Sequence, residues 1–419
     1  MRTWYRNLDY VSLLLWLALV SIGLVAIYST THGPAAEFLL ESVRQNFERQ
    51  LIWGILSVVL IGGALFVPVR FLQKAAPFLY AGSVLLLLAA LVFGREINGA
   101  RSWISIGPAN FQVSELAKFG AVLGVAHLVS SRRPGTADLR FMLLVVAMLV
   151  GPAILIILQN DTGTALVFLA LIPVMLFWAG VQLDLLMLMM APALTGYLAI
   201  VYQPAAIVFA VLFTGYMYFR TQDRRFTAIA GLFTGGTVVA LWLGLTQLLQ
   251  PHQVARILSF TNPEAAEYRR GVGFHLVQSL AAIGSGGFFG KGFMQGTQTQ
   301  GRYVPEQSTD FVFSVIGEEF GFVGSLLVLV LFGALMIRLV FLGSQMKHPF
   351  GVIVAAGAVG IYLIHLTVNV GMATALLPVI GIPLPFISYG GSALLAHTAV
   401  LATVVSLHMR RDDFSIYAY

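Results

Sequence analysis

Residues 11–28, VSLLLWLALVSIGLVAIY, carry no charge and decide the fold class. A helix needs about 20 mostly apolar residues to cross the hydrocarbon core of a bilayer. Arg2 and Arg6 stand before the run, as they would before the apolar part of a signal peptide. The run is too long for that role, and no convincing small-residue cleavage site follows it, so it reads as a retained first span. Outward from it the pattern repeats at Leu51–Val67, Pro77–Phe93, Leu116–Val129, Phe141–Leu158, Thr164–Gly180, Leu183–Val201, Ala205–Phe219, Ala228–Leu248, Phe322–Leu342, Gly351–Thr374 and Ser392–His408. With the first run these make twelve expected spans, with both termini on one side. The whole chain, 1–419, is expected to be one integral membrane domain: an all-α polytopic helix bundle with one long loop, 249–320.

Composition supports lipid as the outer solvent. Of 419 residues, 58% are hydrophobic and 10% charged, against about a quarter charged in a soluble domain. The chain has no cysteine, which excludes disulfides and thiolate chemistry. A net charge of +6 would suit nucleic acid in a soluble protein. Here it follows from loops on one side: Arg2, Arg6, Arg70, Lys74, Arg132, Arg133, Arg140, Arg220, Arg224, Arg225, Arg338, Lys347, Arg410 and Arg411. The excess of basic residues assigns that side to the cytoplasm, and no nucleic-acid partner is expected.

Five polar clusters fall on the other side. Asn98–Ile104 and Phe111–Lys118 form the first. Ser114 is a candidate helix cap, and Glu115 and Lys118, three apart, share a helix face. They read either as a structural pair or as a floor for an anionic ligand. Gln159–Ala165 is the second; Asp161 there is either a cap or a functional charge, since a charge in the membrane is costly and usually has a partner or a job. The third, Pro251–Gly292, holds Arg256, an interfacial helix over Gly271–Leu280, and a glycine-rich turn around Lys291. Such a turn is either a flexible link or a phosphate cradle. Val304–Gly321 carries Glu306, Asp310, Glu318 and Glu319. A carboxylate among apolar side chains has its pKa raised, which suits a general base; the alternative is a solvated helix start. A divalent cation, Mg²⁺ or Mn²⁺, is left open here, with Glu319 as its candidate ligand. Leu377–Ser392, rich in proline and glycine, forbids a regular helix and must face protein or a cavity.

At these residues the chain resembles the SEDS family (shape, elongation, division and sporulation proteins). The resemblance covers nearly the whole chain and is most specific at Thr309-Asp310-Phe311 and Pro383–Ser392. It implies polymerisation of peptidoglycan glycan strands from lipid II, an inverting glycosyl transfer. The implied setting is the bacterial inner membrane, with both termini cytoplasmic and the active face outside. The implied partners are a class B penicillin-binding protein transpeptidase and undecaprenyl-linked glycan.

Asp310 is then the catalytic residue, and Arg101, Glu115, Lys118, Asp161, Arg256, Glu306, Ser388 and Tyr389 are expected to bind substrate. Two local departures stand out: Val113 in place of the usual proline, and Asn160-Asp161-Thr162 in place of Pro-Asp-Leu. Members usually have ten spans, so two extra ones are expected between Leu183 and Leu248. The short end after Arg411 leans to elongation rather than division. The rival readings are a lipid II flippase, with its charges at mid-membrane, and a non-enzymatic scaffold.

Overall fold

The structure is a computed structural model and describes residues 7–34, 39–97, 99–107, 109–132, 138–248, 254, 258–263, 265 and 273–411. Helices dominate it. In chain order they are α1 Tyr10–His32, α2 Glu41–Arg44, α3 Asn46–Phe66, α4 Val69–Phe93, α5 Val113–Ser130, α6 Leu139–Leu158, α7 Thr162–Trp178, α8 Leu183–Val201, α9 Gln203–Thr221 and α10 Arg224–Leu243. Then follow α11 Phe274–Gly286, α12 Thr297–Gln300, α13 Val312–Glu319, α14 Gly321–Ser344, α15 Pro349–Ala373 and α16 Gly391–Met409. Among the described residues, 11 helices are long and apolar enough to cross a membrane, and α7 is a shorter apolar helix beside them. All twelve expected spans are therefore helical.

The chain divides into two compact units. The first comprises Met1–Ala179, Gln278–Thr374 and Ile380–Tyr419. Its interior is built on α5, α15 and α16, the most buried of the long helices, and α5 and α16 are also among the least apolar. That inversion is the membrane rule: lipid-facing sides must be apolar, while helix–helix contacts accept Gly, Ser, Thr and His. The second unit comprises Gly180–Val277 and Ala375–Val379. It holds α8, α9 and α10, packed around Leu188, Met217 and Ala230. Asp184 and Arg220 pair across α8 and α9, and Asp223 caps α10 through Arg225 N at 2.8 Å.

Several boundaries differ from the sequence reading. α4 starts at Val69 and runs through Pro77, because one lost backbone bond is tolerated where neighbours resupply it. α5 starts at Val113, and Gln112 rather than Ser114 stands at its N-cap. The interfacial helix spans 274–286; Gly271 and its neighbour lie outside the described residues. The span at Ala228–Leu248 is helical from Arg224 and ends in a π-turn, Gly244–Leu248. Glu318 and Glu319 do not open a helix in water. They close α13 and are buried.

A small antiparallel sheet was not expected. β1 Arg95–Ile97, β2 Ala100–Ile106 and β3 Ala109–Gln112 pair in the order β1-β2-β3. Trp103 faces Gln112 and Ile106 faces Ala109. The sheet is tied down by main chain: Arg101 N–H donates to Gln159 O at 2.8 Å, and Asn160 Nδ2 to Gly99 O at 2.8 Å.

α1 packs closely against the irregular segment before α16. A Cβ placed on Gly23 would stand 2.6 Å from Ile387 O and 2.9 Å from Phe386 O, both backbone. On Gly62 of α3 it would meet nothing within 4 Å. Gly23→Ala should therefore lower the melting temperature of the purified protein, with overpacking of about 1–3 kcal/mol. Gly62→Ala should leave it unchanged or raise it, since alanine is the better helix former. Thermal unfolding in detergent distinguishes the two.

Candidate active site

Asp310 lies in the turn before α13, whose start is Val312. Its backbone N–H donates to Glu306 O at 3.1 Å. Facing it is the segment from Ile380 to Gly390, an irregular backbone whose polar groups must all find partners inside protein. Three residues join the two. Asn369, buried in α15, donates from Nδ2 to Asp310 O at 2.9 Å and to Ile382 O at 2.8 Å. Ser388 Oγ donates to Thr309 O at 2.5 Å and accepts from Leu384 N at 2.8 Å. Tyr389 N–H donates to Ser308 O at 2.8 Å. From outside, Gln50 of α3 clamps the segment, with Nε2 on Ser388 O at 3.2 Å and Oε1 on Gly390 N at 3.1 Å.

Between these elements is a cavity of about 330 Å³. Asp161, Glu306, Asp310 and Tyr389 line it, together with Trp103 and Gln112 from the sheet. Gly381 closes one wall with φ +76°, and a Cβ there would stand 3.3 Å from Asp310 Oδ2. Glycine serves both the left-handed backbone and the close approach. Among the described residues no side chain bonds or pairs with the Asp310 carboxylate. Burial, reinforced by the negative charge of Glu306, pushes that carboxyl up to about 7.

Asp161 is a cap and a joint together. Oδ1 accepts from Thr164 N at 3.1 Å, starting α7. Oδ2 accepts from Gln112 Nε2 at 2.9 Å and from Ser114 Oγ at 3.3 Å. Ser114 thus serves Asp161 rather than its own helix. The N-termini of α7 and α16 both open into the cavity, through Gly163 and Ser392. Asp161 caps the first, while no side chain caps the second.

Glu115 and Lys118 pair as their spacing implied, Nζ to Oε1 at 2.8 Å, but they are buried at 1% and 2% exposure. They are not among the residues lining the cavity. Lys118 Nζ also meets His365 Nε2 at 2.7 Å, and His365 Nδ1 meets Pro383 O at 2.9 Å. Because Pro383 lines the cavity, this chain supports its floor from within. His397 Nε2 stands 3.6 Å from Glu115 Oε2. Arg101 is exposed on β2. Arg256 lies outside the described residues.

Glu319 is in a different place. Its Oε1 accepts from Ser29 Oγ at 2.5 Å and Gln300 Nε2 at 3.0 Å. Neighbouring Glu318 accepts from Lys291 Nζ at 2.8 Å and from the Thr299 N–H and hydroxyl at 2.7 Å. Burial would raise the Glu318 pKa, but these bonds outweigh it and hold it below the usual value. The Lys291 cation is thereby engaged. The glycine-rich turn spends backbone N–H groups internally too, Lys291 N on Glu318 O and Gly292 N on Glu319 O, each at 3.0 Å. It is no free phosphate cradle. Among the described residues no group of three or more His, Cys, Asp or Glu comes together, and Glu319 Oε1, the candidate cation ligand, is already engaged by Ser29 and Gln300 while its Oε2 has no partner.

Gln50, Gln112, Asn369, His365 and His397 were not singled out as site residues in the sequence. For His365, Asn369 and His397 the available signal was a polar side chain inside an apolar span, and His365 and Asn369 are four apart on α15.

A family model described as "Cell cycle protein", covering FtsW, RodA and SpoVE, matches residues 10–230 and 203–413. Peptidoglycan glycosyltransferase RodA of Treponema pallidum is 34% identical over 434 residues, 97% of this chain and 98% of that protein. Peptidoglycan glycosyltransferase MrdB of Escherichia coli K12 is 30% identical over 409 residues, 98% and 95% respectively. A solved chain from a study of polymerization and crosslinking by a peptidoglycan synthase complex superposes with a TM-score of 0.70. It is 29% identical and matched over 96% of this chain and 98% of its own length.

Removing one partner of a buried ion pair leaves the other charge uncompensated, which costs about 3–5 kcal/mol. Lys118→Met alone should destabilise the protein by that order. Lys118→Met combined with Glu115→Gln should recover much of the loss. Thermal unfolding of the single and double variants checks this.

Proposed function

Because the chain belongs to the FtsW/RodA/SpoVE family, the SEDS family its motifs resemble, we propose that Asp310 is the general base of its glycosyl transfer. The chain is a peptidoglycan glycosyltransferase and an integral membrane protein. The substrate we assign is lipid II, and the process cell elongation, on the likeness to RodA over nearly the full length of both chains. The observation that carries the reading is the half-buried Asp310 carboxylate, unpaired and lifted to about 7, on the wall of the cavity. A base is most effective when its pKa lies near the working pH.

A sugar 4-hydroxyl of the acceptor loses its proton to Asp310 as its oxygen attacks the anomeric carbon of the donor. The bond from that carbon to the lipid pyrophosphate breaks, and the configuration inverts. The leaving charge needs positive partners. The uncapped N-terminus of α16 supplies backbone N–H groups and the positive end of its dipole. Arg101 and Arg256 are the side-chain candidates. Lys118 keeps a supporting role, holding His365 beneath Pro383. Asp161 fixes the junction of β3, α5 and α7 on the opposite wall. Glu306 tunes the base through its charge, and Ser388 and Tyr389 fix the turn that carries it.

A flippase would need its charges along the middle of the bundle. Glu115 and Lys118 lie in the first two turns of α5, and His397 in the second turn of α16. The membrane is the bacterial cytoplasmic membrane in this reading, with the cavity facing outward and the basic loops inward. A class B penicillin-binding protein is the transpeptidase we assign as partner. The likeness to a chain studied in a synthase complex supports it.

Purified protein given lipid II should form polymer, and Asp310→Asn should form none; polymer at the normal rate from that variant would sink the assignment. The base must be deprotonated, so kcat/KM should fall as pH drops through about 7. Glu306 raises the Asp310 pKa, so Glu306→Gln should move the acid limb to lower pH. An unshifted limb would show that Glu306 has no such influence.

A further inference from the structure

α16 begins at the catalytic cavity with Gly391 and ends at Met409, about 28 Å away along its axis. Near its far end is a second cavity of about 350 Å³ between α3, α4, α5 and α16. Leu60, Gly63, Val67, Leu72, Phe119 and Leu407 give it mostly apolar walls, with Thr403 and Ser406 on the α16 side. Gly63 is exposed, and a Cβ on it would meet nothing within 4 Å. The cavity thus opens past Gly63 on the flank of α3, a helix with many exposed apolar side chains, among them Ile55, Val58 and Val59. Apolar cavities do not hold water stably and take apolar ligands. A hydrocarbon chain is the occupant that suits these walls.

The charges at the same end select the headgroup. Arg70 and Lys74 lie one turn apart on α4, both exposed, at the same end of that helix as the lining residues Val69 and Leu72. Among the described residues no carboxylate pairs with either. An adjoining recess shares Val69 and Leu407 with the cavity and is lined by Lys347 and Arg411. Of the acids on this side, Asp9 is engaged by Arg338 and Asp138 by Arg132; Asp412 and Asp413 lie outside the described residues. Basic pockets between spans on one face of a membrane take anionic lipid headgroups.

We propose that this end of the bundle binds an anionic glycerophospholipid, with one acyl chain in the cavity beside Gly63 and its phosphate on Arg70 and Lys74. The occupant is not the substrate lipid, whose pyrophosphate is handled at the other end of α16. A zwitterionic lipid brings its own cation and gains little from these side chains. Because the lipid contacts the last turns of α16, occupancy braces the helix whose first turn borders the catalytic cavity.

The test is native mass spectrometry of the full chain in mild detergent, with dioleoyl phosphatidylglycerol and dioleoyl phosphatidylcholine supplied in competition. Phosphatidylglycerol should be retained about tenfold over phosphatidylcholine. Gly63→Leu, which fills the cavity, should abolish that tight adduct. Arg70→Gln with Lys74→Gln should bring the preference close to unity. Equal retention of the two lipids by the unmodified chain overturns the proposal. So does an unchanged adduct on Gly63→Leu, or a polyprenyl lipid held in its place. Should Gly63→Leu fail to fold, the surface pair decides alone: an unchanged preference overturns the proposal. The readout is adduct mass, so it stands whether or not Asp310 is the base.

Discussion

A stretch of non-helical backbone set into apolar surroundings has to be satisfied by the protein, because no water is there to do it. The segment from Ile380 to Gly390 obeys that constraint through Asn369, Ser388, Tyr389, His365 and Gln50. Asn369, Ser388 and Tyr389 also fix the turn carrying Asp310. The chemistry of the site follows from the same arrangement. A carboxylate held by its backbone, rather than by its oxygens, is free to gain and lose a proton. Burial among the neighbouring walls then sets where it does so.

The treatment of the buried carboxylates shows the other half of the rule. Glu318 is surrounded by donors and a lysine, and Glu115 by Lys118. Each is placed in the interior with its charge compensated. Asp310 differs because no donor meets it and Glu306 adds a like charge. Acidic residues close together in sequence thus divide into structural and reactive ones by their partners alone. Glu306, Asp310, Glu318 and Glu319 could not be sorted by their order along the chain.

The helices were legible because hydropathy over a span length is a strong, local signal, and the basic loops order them. Twelve apolar stretches became twelve helices, with their ends shifted by a few residues where Pro77 or Val113 proved compatible with helix. The sheet of β1 to β3 was not legible. Its strands are short, its apolar alternation is slight, and its docking relies on Gln159 and Asn160 across a gap of more than fifty residues. Within the site, Asp310 and Asp161 came from motifs. The displacement of Lys118 beneath the floor came only from knowing where α15 places His365. Glu319 looked available in sequence because its partners, Ser29 and Gln300, are far from one another along the chain. The glycine-rich turn misled for a similar reason: its acceptors belong to α13.

The way the sheet is fastened has an evolutionary consequence. Two of its ties to the helix ends run through main-chain groups of the sheet, the Arg101 N–H and the Gly99 carbonyl, and a third through the Gln112 side chain on Asp161. The outward side chain of Asn110, which meets Ser105 within the sheet, takes no part in that attachment. Drift there therefore leaves the catalytic cavity intact. A lineage can refashion the rim that incoming molecules meet first while inheriting the machinery beneath it unaltered.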